Sequence, residues 1–235
     1  MSEGLFRALF APRGVALFGA SGDATKNTAR PQRYLQKHGY AGRIVPINRG
    51  RREVLGLPAY ATLAEAPGDI DHAFIMVPPQ DVLAACEECF ARRVPVVTIF
   101  TDGFGETGEA GRAAQEKLVE RARRAGVRLV GPNSIGLIST DPPAPISVNA
   151  VLELERVPKG PLGLISQSGS LIGAFLSRGA ARGLGFSRLV SVGNESDLSV
   201  GELADLLVDA NSTGKCIKEP GCVSFVGRLI IGRYC

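Results

Sequence analysis

The sequence predicts an α/β protein, with a doubly wound parallel sheet followed by a second, incomplete α/β unit. Three observations carry this. Between residues 14 and 130, short apolar runs alternate with helix-like stretches, as βα repeats do. The runs are nearly continuous in apolar residues, as strands buried on both faces are. Near residue 158 the alternation resumes after a break.

The expected strands are "GVALFGA" (14–20), "GRIVPIN" (42–48), "HAFIMVP" (72–78), "VPVVTIF" (94–100) and "VRLVG" (127–131). Helices are expected over 28–38, 61–66, 80–92 and 108–125, the last capped by Gly126. "GPNSIGLISTDPPAPIS" breaks the pattern and reads as an irregular linker. From residue 158 the order is strand, tight turn, helix, strand, loop, helix, too few repeats to close a sheet. The tail "NSTGKCIKEPGCVSFVGRLIIGRYC" offers one more strand and no helix after it, so the second unit reads as cut short. The division expected is 1–140, a linker at 141–157, 158–210, and a divergent tail at 211–235.

Composition narrows the function. The chain has 235 residues, 45% hydrophobic and 21% charged, with a net charge of +4. That balance lacks the clustered basic stripes of a nucleic-acid binder. No apolar run reaches the roughly 18 residues of a membrane span, and the N-terminus lacks a signal-peptide pattern, so the cytoplasm is expected. Cys86 and Cys89 share one face of a predicted helix. With no second ligand pair nearby, neither metal nor redox work is expected of them.

The candidate site lies where strands end. "GASGD" brings Gly19, Ser21 and Gly22 from the first strand toward a helix start, where backbone N–H groups and the helix dipole favour a phosphate. The dinucleotide fingerprint G-x-G-x-x-G is not met, because Leu17 stands where its first glycine belongs. The second strand ends in Asn48, Arg49 and Arg51 rather than a carboxylate. This disfavours NAD and favours a phosphorylated ribose, as in NADP or coenzyme A. "VPPQ" offers Pro78 as a stiff wall, and "FTDGFGE" offers Thr101 and Gly103 on the same edge. In the second unit, Ser168, Gly169 and Ser170 of "SQSGS" start a helix whose free N–H groups can cradle a phosphoryl group, the alternative being a capping serine and nothing more.

In this order and spacing, "GASGD", "VPINR", "VPPQ", "FTDGFGE", "GPNSIG" and "GLISQSGSL" resemble the NDP-forming acyl-CoA synthetases, relatives of the succinyl-CoA synthetase alpha subunit. The resemblance covers residues 10 to about 210. It implies a Rossmann-like CoA-binding domain followed by the start of a flavodoxin-like ligase domain. The nucleotide end of CoA would lie over the Ser21–Gly22 turn, near the basic loop. Asn133 of "GPNS" would lie where thiol and phosphate meet. The family makes acyl-CoA from a small carboxylic acid, CoA and a nucleoside triphosphate through a phosphohistidine. ATP and Mg are implied only for the complete enzyme, as is an ATP-grasp subunit or domain; a homo-oligomer stays open.

The chain has two histidines, His38 and His72, and neither follows "SQSGS". No catalytic residue is therefore assigned, and turnover by this chain alone is not expected. The alternative is a non-enzymatic sensor that binds CoA or NAD(P) and controls a partner. The loop "GNESD" (193–197) reads mainly as a turn.

Overall fold

The computed structural model describes residues 2–212, 223–225 and 229–233. The first unit is a five-stranded sheet ordered β2-β1-β5-β6-β7. Its strands are β1 (Gly14–Phe18), β2 (Arg43–Ile47), β5 (His72–Ile75), β6 (Val96–Ile99) and β7 (Arg128–Val130). All four pairings are parallel. β3 (Glu53–Val54) and β4 (Leu57–Pro58) form a small separate ribbon. β1, β5 and β6 are buried along their whole length, as their apolar sequence requires, and their two polar residues, His72 and Thr98, bond each other.

The crossovers are α2 (Arg30–Lys37), α3 (Val82–Ala91) and α4 (Glu109–Arg124). Leu118, Val119 and Ala122 form the inner face of α4. The chain then turns at Gly126, whose φ of 73° suits a residue without a Cβ. Cys86 and Cys89 sit on the inner face of α3, and burial pushes the Cys86 thiol up to about 12. His72 is enclosed, with Nδ1 3.0 Å from the Ala8 carbonyl and Nε2 2.8 Å from the Thr98 hydroxyl. Burial pulls its pKa down to about 4, so the ring is neutral.

The stretch expected as an irregular linker is a β-hairpin. β8 (Gly136–Thr140) pairs antiparallel with β9 (Pro143–Ser147), and β8 also pairs with β11 (Phe186–Ser191). Pro143 and Pro145 are tolerated because β9 is the sheet edge, where a missing N–H costs no ladder bond. The second unit therefore does close a sheet, ordered β12-β13-β10-β11-β8-β9. β10 (Lys159–Ser166) and β11 are parallel, while β13 (Leu229–Arg233) runs antiparallel to β10 with β12 (Val223–Phe225) beyond it. Cys216, Cys222 and Cys235 lie outside the described residues.

α5 (Gly169–Ala180) and α6 (Val200–Ser212) flank this sheet. The expected helix over 61–66 is only a 3-10 turn, Leu63–Glu65, cut off by Pro67 and Gly68. An unexpected helix, α1 (Ser2–Phe10), wedges Ala8, Leu9 and Phe10 into a core cluster that includes Leu17 and Phe74 of the first unit and Ile165 and Val190 of the second. Among the described residues, no helix is long and apolar enough to cross a membrane.

"GNESD" is more than a turn. Asn194 N–H donates to the Pro132 carbonyl, Ser196 N–H to Gly131 and Leu198 N–H to Leu129, so the loop zips onto the end of β7. The Asp197 carboxylate, fully enclosed, accepts from Arg123 Nε at 2.9 Å, Arg128 Nε at 2.8 Å and Leu129 N–H at 2.9 Å. Burial alone would raise its pKa; these donors outweigh it and hold the carboxyl below its ordinary value.

Candidate functional site

Strand order reverses at β1, with β2 on one side and β5 on the other. The carboxyl ends of the strands at such a point form a crevice where ligands of doubly wound sheets bind. A cleft of about 220 Å³ lies there, lined by Gly19, Asn48, Arg49, Pro78 and Glu88 among others.

Each wall has a local cause. Gly19 turns the chain with φ of 75°, and a Cβ on it would stand 2.9 Å from the Met76 carbonyl oxygen. Asn48 braces that turn, Nδ2 donating to the Ala20 carbonyl at 2.9 Å while Oδ1 accepts Gly50 N–H at 2.9 Å. Arg49 leans toward α3, with Nη2 3.9 Å from Glu88. Arg51 lies over Gly22, where an added Cβ would stand 3.1 Å from its Nη1.

The helix expected over 28–38 is present, and it starts well after Gly22. Residues 19–26 intervene before a 3-10 turn at Asn27–Ala29 leads into α2. Side chains take the backbone donors instead: Ser21 Oγ accepts Asp23 N–H, and Asp23 Oδ1 accepts Thr25 N–H and its hydroxyl. Such local turns compete with helix. The Thr25 bonds hold the Asp23 carboxyl below its usual range, with Lys26 and Arg51 adding to the effect. The positive charge at this turn therefore comes from Lys26 and Arg51 and not from a helix end.

The remaining edge residues connect in sequence. Thr101 is buried and its hydroxyl donates to the Val77 carbonyl at 2.6 Å, bracing the β5 and β6 turns together. Gly103, at φ of 94°, faces Pro79 across ordinary contact distance. Asn133 is exposed, sits in the left-handed region at φ of 59°, and donates its N–H to the Thr101 carbonyl.

Ser168 to Ser170 stand on the other sheet, at the start of α5. Gly169 packs so tightly on Ile135 that an added Cβ would approach its side chain to 2.5 Å, which brings this helix start beside the Asn133 corner. Ser168 holds the N-cap position but makes no capping bond; its hydroxyl lies 3.0 Å from that of Ser170. The first-turn N–H groups of α5 are thus left to another acceptor.

The CoA binding domain family matches residues 13–140, over half the chain, and the succinyl-CoA ligase like flavodoxin domain matches 159–217. The chain belongs to the CoA binding domain family, and it is similar to NDP-forming acyl-CoA synthetases. It is 38% identical over 200 residues to the alpha subunit of acetate–CoA ligase [ADP-forming] II of Pyrococcus furiosus, covering 85% of this chain and 42% of that one. It is 39% identical over 210 residues to the alpha subunit of acetate–CoA ligase [ADP-forming] I of the same organism, covering 88% and 45%. Among solved structures, the dinucleotide-forming acetyl-coenzyme A synthetase 1 of Ca. Korarchaeum cryptofilum, in complex with phosphate and ADP, superposes with a TM-score of 0.81 at 31% identity, covering 94% of this chain and 44% of that one. The chain thus spans less than half the length of these relatives. The synthetase-type pairing of a CoA-binding unit with a flavodoxin-like unit is the architecture described above.

Sequence reading missed Asn194, Asp197, Glu88 and Glu106. Asn194, Asp197 and Glu88 have partners far away in sequence, and Glu106 joins a local turn to the distant Asn194, so no local motif marks them.

Proposed function

We propose that this chain binds coenzyme A across the carboxyl edge of the five-stranded sheet, as the CoA-binding portion of an ADP-forming acyl-CoA synthetase. The observation that carries the reading is Arg51 lying over Gly22. A guanidinium above a turn without a side chain suits a phosphorylated ribose. Gly19, Ser21, Gly22, Asn48 and Arg49 would border the nucleotide end. Pro78, Thr101 and Gly103 would shape the path toward Asn133, where the thiol would meet the acyl group. Asn48 and Thr101 serve by bracing turns, since their side chains are engaged by backbone.

Ser168, Gly169 and Ser170 would hold a phosphoryl group at the start of α5, which the missing capping bond supports. In the complete reaction a carboxylate oxygen would attack the phosphorus of a phosphohistidine outside this chain's two histidines, the P–N bond would break to release the imidazole, and an acyl phosphate would form. The CoA sulfur then attacks the acyl carbon, the thiol proton leaves, and phosphate departs. The net change is acid, CoA and nucleoside triphosphate to acyl-CoA, nucleoside diphosphate and phosphate.

His72 is buried and neutral, and His38 closes α2 with Nε2 2.9 Å from the Leu152 carbonyl oxygen. Neither is placed to carry phosphate. The chain alone is accordingly proposed to bind CoA without turnover, and the relatives' designation as alpha subunits supports a partner that handles the nucleotide.

Calorimetry with CoA and dephospho-CoA tests the reading. CoA is expected to bind about tenfold more tightly, the worth of one charge-assisted bond. Affinity for neither ligand would overturn the reading, and equal affinity would remove the role given to Arg51.

A further inference from the structure

The loop after β6 is held from the other unit. Glu106 Oε1 accepts Gly103 N–H at 2.5 Å and Phe104 N–H at 3.1 Å, which folds residues 103–106 around one carboxylate oxygen. Its Oε2 accepts Asn194 Nδ2–H, and the same amide donates to Gln115 Oε1 at 3.0 Å. Gln115 Oε1 in turn accepts Gly105 N–H at 3.2 Å. Three consecutive backbone donors of this loop therefore answer to two side chains, and both are tied to Asn194.

Asn194 is itself fixed. Its N–H bonds the Pro132 carbonyl, and a Cβ on Gly193 would stand 2.2 Å from that same oxygen, so only glycine allows the approach. Asp197 pins the far end of the loop to Arg123, Arg128 and Leu129. The position of the second unit is in this way transmitted to Gly103, which faces Pro79 on the cleft edge.

We propose that Asn194 and Glu106 are positioning residues, through which the second unit sets the shape of the 103–106 loop and with it the affinity for CoA. The inference rests on the CoA reading for its ligand, but the clasp has a readout of its own. Hydrogen exchange of the 103–106 amides and CoA calorimetry are measured on the full chain and on Asn194→Ala, Asn194→Asp and the pair Glu106→Gln with Asn194→Asp. In Asn194→Ala, exchange at 103–106 is expected to quicken and CoA affinity to fall roughly threefold to tenfold. Asn194→Asp is expected to cost more, because it sets two carboxylates face to face.

In the pair, the new amide donates to the new carboxylate while its oxygen still accepts from Gly103 and Phe104, so affinity should recover. A residue that merely supports the fold would not be rescued by this reversal. The proposal is overturned if Asn194→Ala and Asn194→Asp bind CoA like the parent, or if the pair binds no better than Asn194→Asp. If the parent chain takes up no CoA, the function proposed above falls. Exchange then decides the clasp, and unchanged exchange at 103–106 in Asn194→Ala removes it as well.

Discussion

In the first unit, the small residues after β1 run into an extended loop, and two backbone donors of that loop, Asp23 and Thr25 N–H, are taken by Ser21 and Asp23. The charge beside the turn is a guanidinium delivered from the end of the neighbouring strand. In the second unit, the small residues after β10 run straight into α5, and the hydroxyl at the N-cap position leaves the helix donors alone. The two stretches look alike in sequence and differ in what could hold an anion. One relies on a side chain, which salt screens and substitution removes. The other relies on backbone N–H groups, with the Ser168 and Ser170 hydroxyls beside them.

The comparison can be broken most severely at Gly19. Valine there would need a left-handed backbone and would press on the Met76 carbonyl, so Gly19→Val should lower stability by about 3 kcal/mol in denaturant unfolding. Loss of less than about 1 kcal/mol would mean that the turn relaxes and is not a fixed wall of the cleft. A smaller effect is expected from Arg51→Ala. CoA affinity should fall about tenfold, dephospho-CoA affinity much less, and the gap should narrow at high salt. Phosphate affinity at α5 should not move; if it does, the two sites are not separate.

The smallest effect sharpens the contrast. Removing a serine that caps a helix ordinarily costs about 1 kcal/mol. Because Ser168 makes no capping bond, Ser168→Ala should change stability by less than about 0.5 kcal/mol while weakening phosphate binding. A full capping loss in chemical denaturation would show that the hydroxyl serves the helix and not a ligand.

Much of this contrast was legible in the residues, and the failures have physical reasons. The buried parallel strands announce themselves because neither face needs polar residues, and Gly126 announces the end of α4. The helix start at Ser168 reads correctly because the turn is short. The helix near residue 28 reads correctly too, whereas the capture of N–H groups by Ser21 and Asp23 in the loop before it is an outcome that composition permits but does not dictate. The hairpin of β8 and β9 hides behind prolines that an edge strand tolerates. Asp197 and Asn194 are illegible for another reason. A carboxylate in a loop reads as solvated, and only partners some 70 residues away turn it into a buried anchor.

The shared cluster around α1 has a consequence for anyone wielding scissors. The family boundary at residue 140 falls at the end of β8, a strand that belongs to the second sheet, while Phe10 and Leu17 belong to the same apolar mass as Ile165 and Val190. A fragment ending there would carry a strand without its sheet and bare the inner side of α1. The two units, matched by two different families, are one body to heat, and the intact chain should melt in a single cooperative transition.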